Sequence, residues 1–176
     1  MKYVFVIALI VLAALSRILP HPANFTLIGS LALFLPALFP GKRGILLAPL
    51  ALFLSDLIIG FYSTPLMLAV YGSFILAGLL GILISKDPSP QRIALGALSG
   101  AVFFYLVTNA AVWFLSPWYP QTLAGLMSSY VAGLPFLRNQ LLADTVFSFA
   151  LYGALAMARK RSTVPLASPP VPISSG

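Results

Sequence analysis

The chain has 176 residues, 60% hydrophobic and 7% charged, with ten Lys and Arg against three Asp and Glu. A soluble domain carries about a quarter charged residues, so this composition, with a mean hydropathy of +1.03, excludes an ordinary water-facing fold and makes lipid the expected solvent. The absence of cysteine removes disulfides, thiolate nucleophiles and Cys-ligated metal sites, and the length allows at most about seven spans with no separate soluble domain.

Apolar runs bounded by Pro, Gly or charged breaks predict an all-α integral membrane protein, a bundle of six transmembrane helices. The first span, 3–19, follows Lys2; its length and the Ala13-Ala14 pair also fit a cleaved signal peptide. Pro20-His21-Pro22 leads into span 25–40, and Pro40-Gly41-Lys42-Arg43 into span 44–61. Ser63-Thr64-Pro65 precedes span 66–85, and the Lys86–Pro90 break precedes span 92–115. Residues 116–135 hold Trp118, Tyr119 and Tyr130 among Gly and Pro and read as an interfacial or re-entrant segment before the last span, 138–158. The transmembrane domain is thus 1–161, and the Pro-rich residues 162–176 read as a disordered cytoplasmic tail.

With six spans the connections alternate sides. Lys2, Lys42, Arg43, Lys86, Arg92, Arg159, Lys160 and Arg161 then share one face, while Arg17 and Arg138 lie on the other. The basic face marks the cytoplasm, which puts both termini of a multi-pass membrane protein inside. It also accounts for the net charge of +7 without a nucleic-acid partner.

An ionisable residue inside a membrane is costly and marks function by default. Asp56 and Asp144 fall in the outer third of their spans, near Arg17, Arg138 and the His21–Asn24 loop. Tyr105, Asn109 and Trp113 recur every four residues and form one stripe. With Tyr62, Tyr71, Asn139 and Gln140 these residues outline a pocket open to the outside. The structural alternatives are that the arginines snorkel to headgroups, that the aspartates pair with arginines to lock helices, and that His21 is a plain loop residue. Ser73, Ala77 and Gly81, Gly96 and Gly100, and Ala150, Ala154 and Ala158 are small residues suited to close helix packing. One His, no Cys, and no zincin, nucleophile-elbow or Walker motif leave no set of catalytic, metal-binding or cofactor-binding residues.

The run Arg17-Ile18-Leu19-Pro20-His21-Pro22-Ala23-Asn24-Phe25-Thr26 is followed by Pro49-Leu50 and Ser55-Asp56-Leu57-Ile58-Ile59-Gly60-Phe61-Tyr62. Val70-Tyr71, Thr108-Asn109 with Trp113, Pro135-Phe136 and Arg138-Asn139 come next. Over residues 1–158 the chain resembles a family of small bacterial membrane proteins similar to the substrate-binding S components of energy-coupling-factor (ECF) vitamin transporters. The resemblance implies a six-helix bundle with an outer substrate site, a His21–Thr26 lid, and Asp56, Tyr71, Asn109, Arg138 and Asp144 in the cavity. It also implies a vitamin-like solute, cobalamin among the candidates, and an ECF coupling protein with two ATPases as partners. The sequence departs from S components in two respects. The first helix lacks Ala-x-x-x-Ala, and no cysteine stands near a cobalt, leaving His21 or Met67 as ligands.

The expectation is therefore a non-enzymatic subunit for vitamin uptake. In it Arg17 and Arg138 recognise an anionic group, Asp56 and Asp144 accept hydrogen bonds, and Tyr71, Tyr105 and Trp113 stack on a ring, beside His21, Asn24, Asn109 and Asn139. A structural or assembly subunit of a larger membrane complex is the alternative, and an enzyme acting on lipid-linked substrates is the third.

Overall fold

The computed structural model describes residues 2–162, all of whose regular structure is helical: α1 (Lys2–Ile18), α2 (Ile28–Leu38), α3 (Lys42–Ile59), α4 (Thr64–Lys86), α5 (Pro90–Leu115) and α6 (Leu123–Ser162). The proposed tail lies outside the described residues except at its first residue, Ser162. Helices α4, α5 and α6 are long and apolar enough to cross a membrane. The exterior is apolar, with Leu57, Ile58, Leu68, Leu83, Leu95 and Phe114 exposed, while Ser30, Asp56, Gln140, Asp144 and Ser148 are buried within a largely apolar core.

The second expected span takes a different form. Helix α2 has only 11 residues, about 16 Å at 1.5 Å per residue, against roughly 30 Å of hydrocarbon. Residues Ile28–Pro36 are all buried, and α2 touches each of the other five helices. Its sequence, IGSLALFLPAL, is apolar on every side, which suits a helix enclosed by others. Pro36 has no N–H and frees the Ala32 carbonyl. The backbone of α4 lies against this point, since a Cβ on Gly81 would sit 2.5 Å from the Leu33 oxygen and 2.8 Å from that of Ala32. From α6, the buried Tyr152 hydroxyl donates to the Leu33 carbonyl at 2.9 Å, so the middle of α2 is bonded as well as packed.

The segment read as re-entrant is also different. Only residues 116–122 form a connection, and α6 then runs unbroken for 40 residues through Pro135. The proline misleads because a long helix beside a partner tolerates a lost N–H when neighbouring groups meet the backbone's needs. Here that partner is α5, bonded to α6 one turn before the proline: Tyr105 donates to the Tyr130 carbonyl at 2.7 Å, next to the Val131 carbonyl that Pro135 frees, and Ser129 donates to the Asn109 carbonyl of α5 at 2.8 Å. Of the small-residue series, Ser73, Ala77 and Gly81 are buried, while Ala150, Ala154 and Ala158 face outward.

Close approach at Gly81 gives a stability test. Gly81→Ala forces α4 off α2 and costs about 1–3 kcal/mol, read as an earlier thermal unfolding in detergent. Gly72→Ala, whose Cβ meets open space, is neutral or slightly stabilising.

Candidate functional site

Successive helices alternate direction, so the ends of α1, α3 and α5 and the starts of α2 and α4 gather at one end of the bundle. Lys42, Arg43, Lys86, Arg92, Arg159 and Lys160 lie toward the opposite end. At the first end two cavities adjoin. One, of about 340 Å³, is lined by Arg17, His21, Thr26, Gly29 and Asp144 among others. The other, of about 300 Å³, is walled by Tyr105, Asn109, Trp118, Tyr119 and Phe136. Ala23, Asn24, Val70, Phe104 and Gln140 line both, so the pair forms one bipartite cleft with a charged chamber and an aromatic chamber.

The α1–α2 connection roofs the cleft. Asn24 holds φ at 62°, a left-handed conformation that Asn tolerates better than most residues. The loop is tied at both ends and in the middle. The Leu27 N–H donates to Ser16 Oγ at 3.1 Å, His21 Nδ1 lies 2.6 Å from the Leu19 carbonyl, and Asn139 Nδ2 donates to the Ala23 carbonyl at 3.0 Å. Below it, α2 begins with unpaired N–H groups, as every helix does. The Asp144 carboxylate of α6 lies against this end of α2, at Gly29. Gly29 admits it, because a Cβ there would fall 2.2 Å from Asp144 Oδ1.

Beside the cleft lies the cluster that joins three helices. Arg17 Nη1 of α1 donates to Asp56 Oδ1 of α3 at 2.6 Å, to the Leu52 carbonyl at 3.2 Å and to the Ser55 hydroxyl. Tyr71 of α4 donates to Asp56 Oδ2 at 2.7 Å. Asp56 is 1% exposed, has both oxygens bonded, and lines neither cavity of the cleft. In the α3–α4 connection, burial, reinforced by Asp56, pushes the Tyr62 phenol up to about 12 although Arg17 opposes the shift, so it keeps its proton at neutral pH.

The structure therefore brings together Arg17, His21, Asn24, Tyr105, Asn109 and Asp144 and leaves five of the expected residues out of the cleft walls. Asp56 and Tyr71 bond to each other. Trp113 Nε1 donates to the Pro120 carbonyl at 2.9 Å and secures the α5–α6 connection. Arg138 is exposed, with the Asn139 side chain at 3.4 Å, and Asn139 braces the roof. Tyr105 and Asn109 line the cleft with polar atoms already engaged, the phenol on Tyr130 and the amide nitrogen on the Tyr105 carbonyl. Phe104 and Phe74 were not singled out by the sequence; their rings meet at 5.0 Å where the chambers join. Their only signal is position, Phe104 preceding Tyr105 and lying one turn before Thr108. Among the described residues no group of three or more His, Asp or Glu is placed to hold a metal ion.

A sequence profile described as "Family of unknown function (DUF6580)" matches residues 1–167. The chain belongs to this family. No curated protein and no solved structure matches it.

The buried cluster carries a direct test. Arg17→Ala strands the Asp56 carboxylate and costs about 3–5 kcal/mol. Adding Asp56→Asn removes the stranded charge and restores at least half of the loss, measured by unfolding followed through Tyr and Trp fluorescence.

Proposed function

We propose that this protein is a substrate-binding membrane subunit that captures a small vitamin-like solute, in the manner of an ECF S component. The observation that carries the reading is the bipartite cleft beneath the α1–α2 connection. Ligand sites of about 300–1,000 Å³, mostly apolar with a few converging polar groups, are the usual form of small-molecule pockets. This cleft has that form, with Phe104, Tyr119 and Phe136 for a ring and Asn24, Gln140 and Asp144 for polar groups. The basic residues at the opposite end support, by the positive-inside rule, reading the cleft as facing the outer side of an inner membrane with both termini cytoplasmic.

The chamber volumes favour a solute of one or two rings over cobalamin, whose corrin and nucleotide exceed them. Capture requires no bond to be made or broken, and the chain is read as a non-enzyme. Passing the solute on falls to a coupling protein and its ATPases, the partners that the resemblance to S components implies. A second reading, an assembly subunit of a larger complex, draws on the outward-facing Ala150, Ala154 and Ala158 of α6, since small residues allow close helix association.

Native mass spectrometry of protein purified from its host separates the two readings. Solute capture predicts a bound species of small mass, retained in Arg138→Ala and reduced at least about tenfold in occupancy in Phe104→Ala, consistent with loss of more than 1.4 kcal/mol. Empty protein in every preparation favours the assembly reading.

A further inference from the structure

We infer, resting on the solute-binding reading above, that the captured solute is a compact organic cation whose protonated nitrogen group is received by Asp144 and Gln140. Sequence reasoning favours an anionic group held by Arg17 and Arg138, and the placement of charge reverses that expectation. The charged side chains in the cleft wall are Arg17 and Asp144. Arg17 is matched by Asp56 at 2.6 Å, and Arg138 stands outside. Asp144, only 3% exposed, lies against the start of α2 at Gly29 and lines the charged chamber together with Gln140. Among the described residues no Lys, Arg or His pairs with it.

Arg17 and Asp56 neutralise each other and Arg138 is exposed outside the cleft, so the Asp144 carboxyl has no countercharge in the cleft wall. An isolated carboxylate in apolar surroundings is costly, and a cationic ligand offsets it where an anionic one adds repulsion. A second group points the same way. Gln140 is 5% exposed and lines both chambers, yet its Oε1 accepts no hydrogen bond. An unused buried acceptor beside an unmatched carboxylate suits a donor with more than one N–H, such as an amidinium or an amino-substituted heterocycle. Phe74 and Phe104, with centroids 5.0 Å apart, add ring faces that attract cations.

The test titrates the full chain in nanodiscs with three probes of equal shape, benzamidinium, benzamide and benzoate, followed by calorimetry. Benzamidinium is expected to bind saturably and more tightly than benzamide, and benzoate not at all. Asp144→Asn is expected to weaken benzamidinium at least about tenfold while changing benzamide less than about twofold. If that variant does not fold, Gln140→Leu carries the comparison, with a smaller loss for benzamidinium in the same direction. Benzoate binding as tightly as benzamidinium overturns the cationic assignment and leaves the solute-binding reading standing. Saturable binding of Na⁺ that displaces benzamidinium and is lost in Asp144→Asn assigns the site to an inorganic cation and overturns the organic one. No binding by any probe removes both this inference and the reading beneath it.

Discussion

An 11-residue helix enclosed on all sides cannot leave its ends without hydrogen-bond partners, and this requirement organises the rest of the molecule. Water satisfies the first N–H groups of an exposed helix, but α2 begins inside the bundle, where an unsatisfied backbone group costs several kcal/mol. The Asp144 carboxylate of α6 lies at that point, and Gly29 provides the space for it. Because α2 stops short, the ends of α4, α5 and α6 surround a gap above it, and the α1–α2 connection passes over that gap. The cleft is thus a consequence of α2 being too short to fill the bundle.

Arg17, Asp56 and Tyr71 do for the edge of the bundle what α2 does for its centre. Helix α1 packs on α3 and slightly on α2, without touching α4, α5 or α6. A buried ion pair is weak support for stability in general, because desolvation offsets much of its attraction. Here it supplies alignment: one arginine nitrogen reaches two side chains and one carbonyl of α3, and the other carboxylate oxygen receives a phenol from α4. That geometry fixes the end of α1, and therefore where the roof of the cleft begins. It also leaves Asp144 as the carboxylate facing the ligand space.

Much of this was legible in the sequence. The limits of α1, α3, α4 and α5 follow from apolar runs ended by charge, Pro and Gly, and the observed helices depart from them by only a few residues. Two features were not legible, for physical reasons. The run 25–40 has the length of a span, but only 28–38 is helical, and hydropathy does not distinguish burial in lipid from burial in protein. Pro135 resembles a break, yet tertiary contacts with α5 carry α6 through it. In the site, spacing groups Tyr105, Asn109 and Trp113 on one face, but not which of their polar atoms are already bonded to α6. Nor does the sequence say that Asp56 is paired while Asp144 lacks a countercharge, since that depends on which helix lies opposite each.

In the proposed topology the cleft under the α1–α2 connection opens to the side of the membrane opposite the basic residues. Because the chain has no cysteine, single substitutions report this without further engineering. In intact cells, a membrane-impermeant maleimide should label Thr26→Cys, at the cleft wall, and should label Ser89→Cys, in the α4–α5 connection, only after permeabilisation. Labelling of Ser89→Cys in intact cells, with Thr26→Cys protected until permeabilisation, would contradict it.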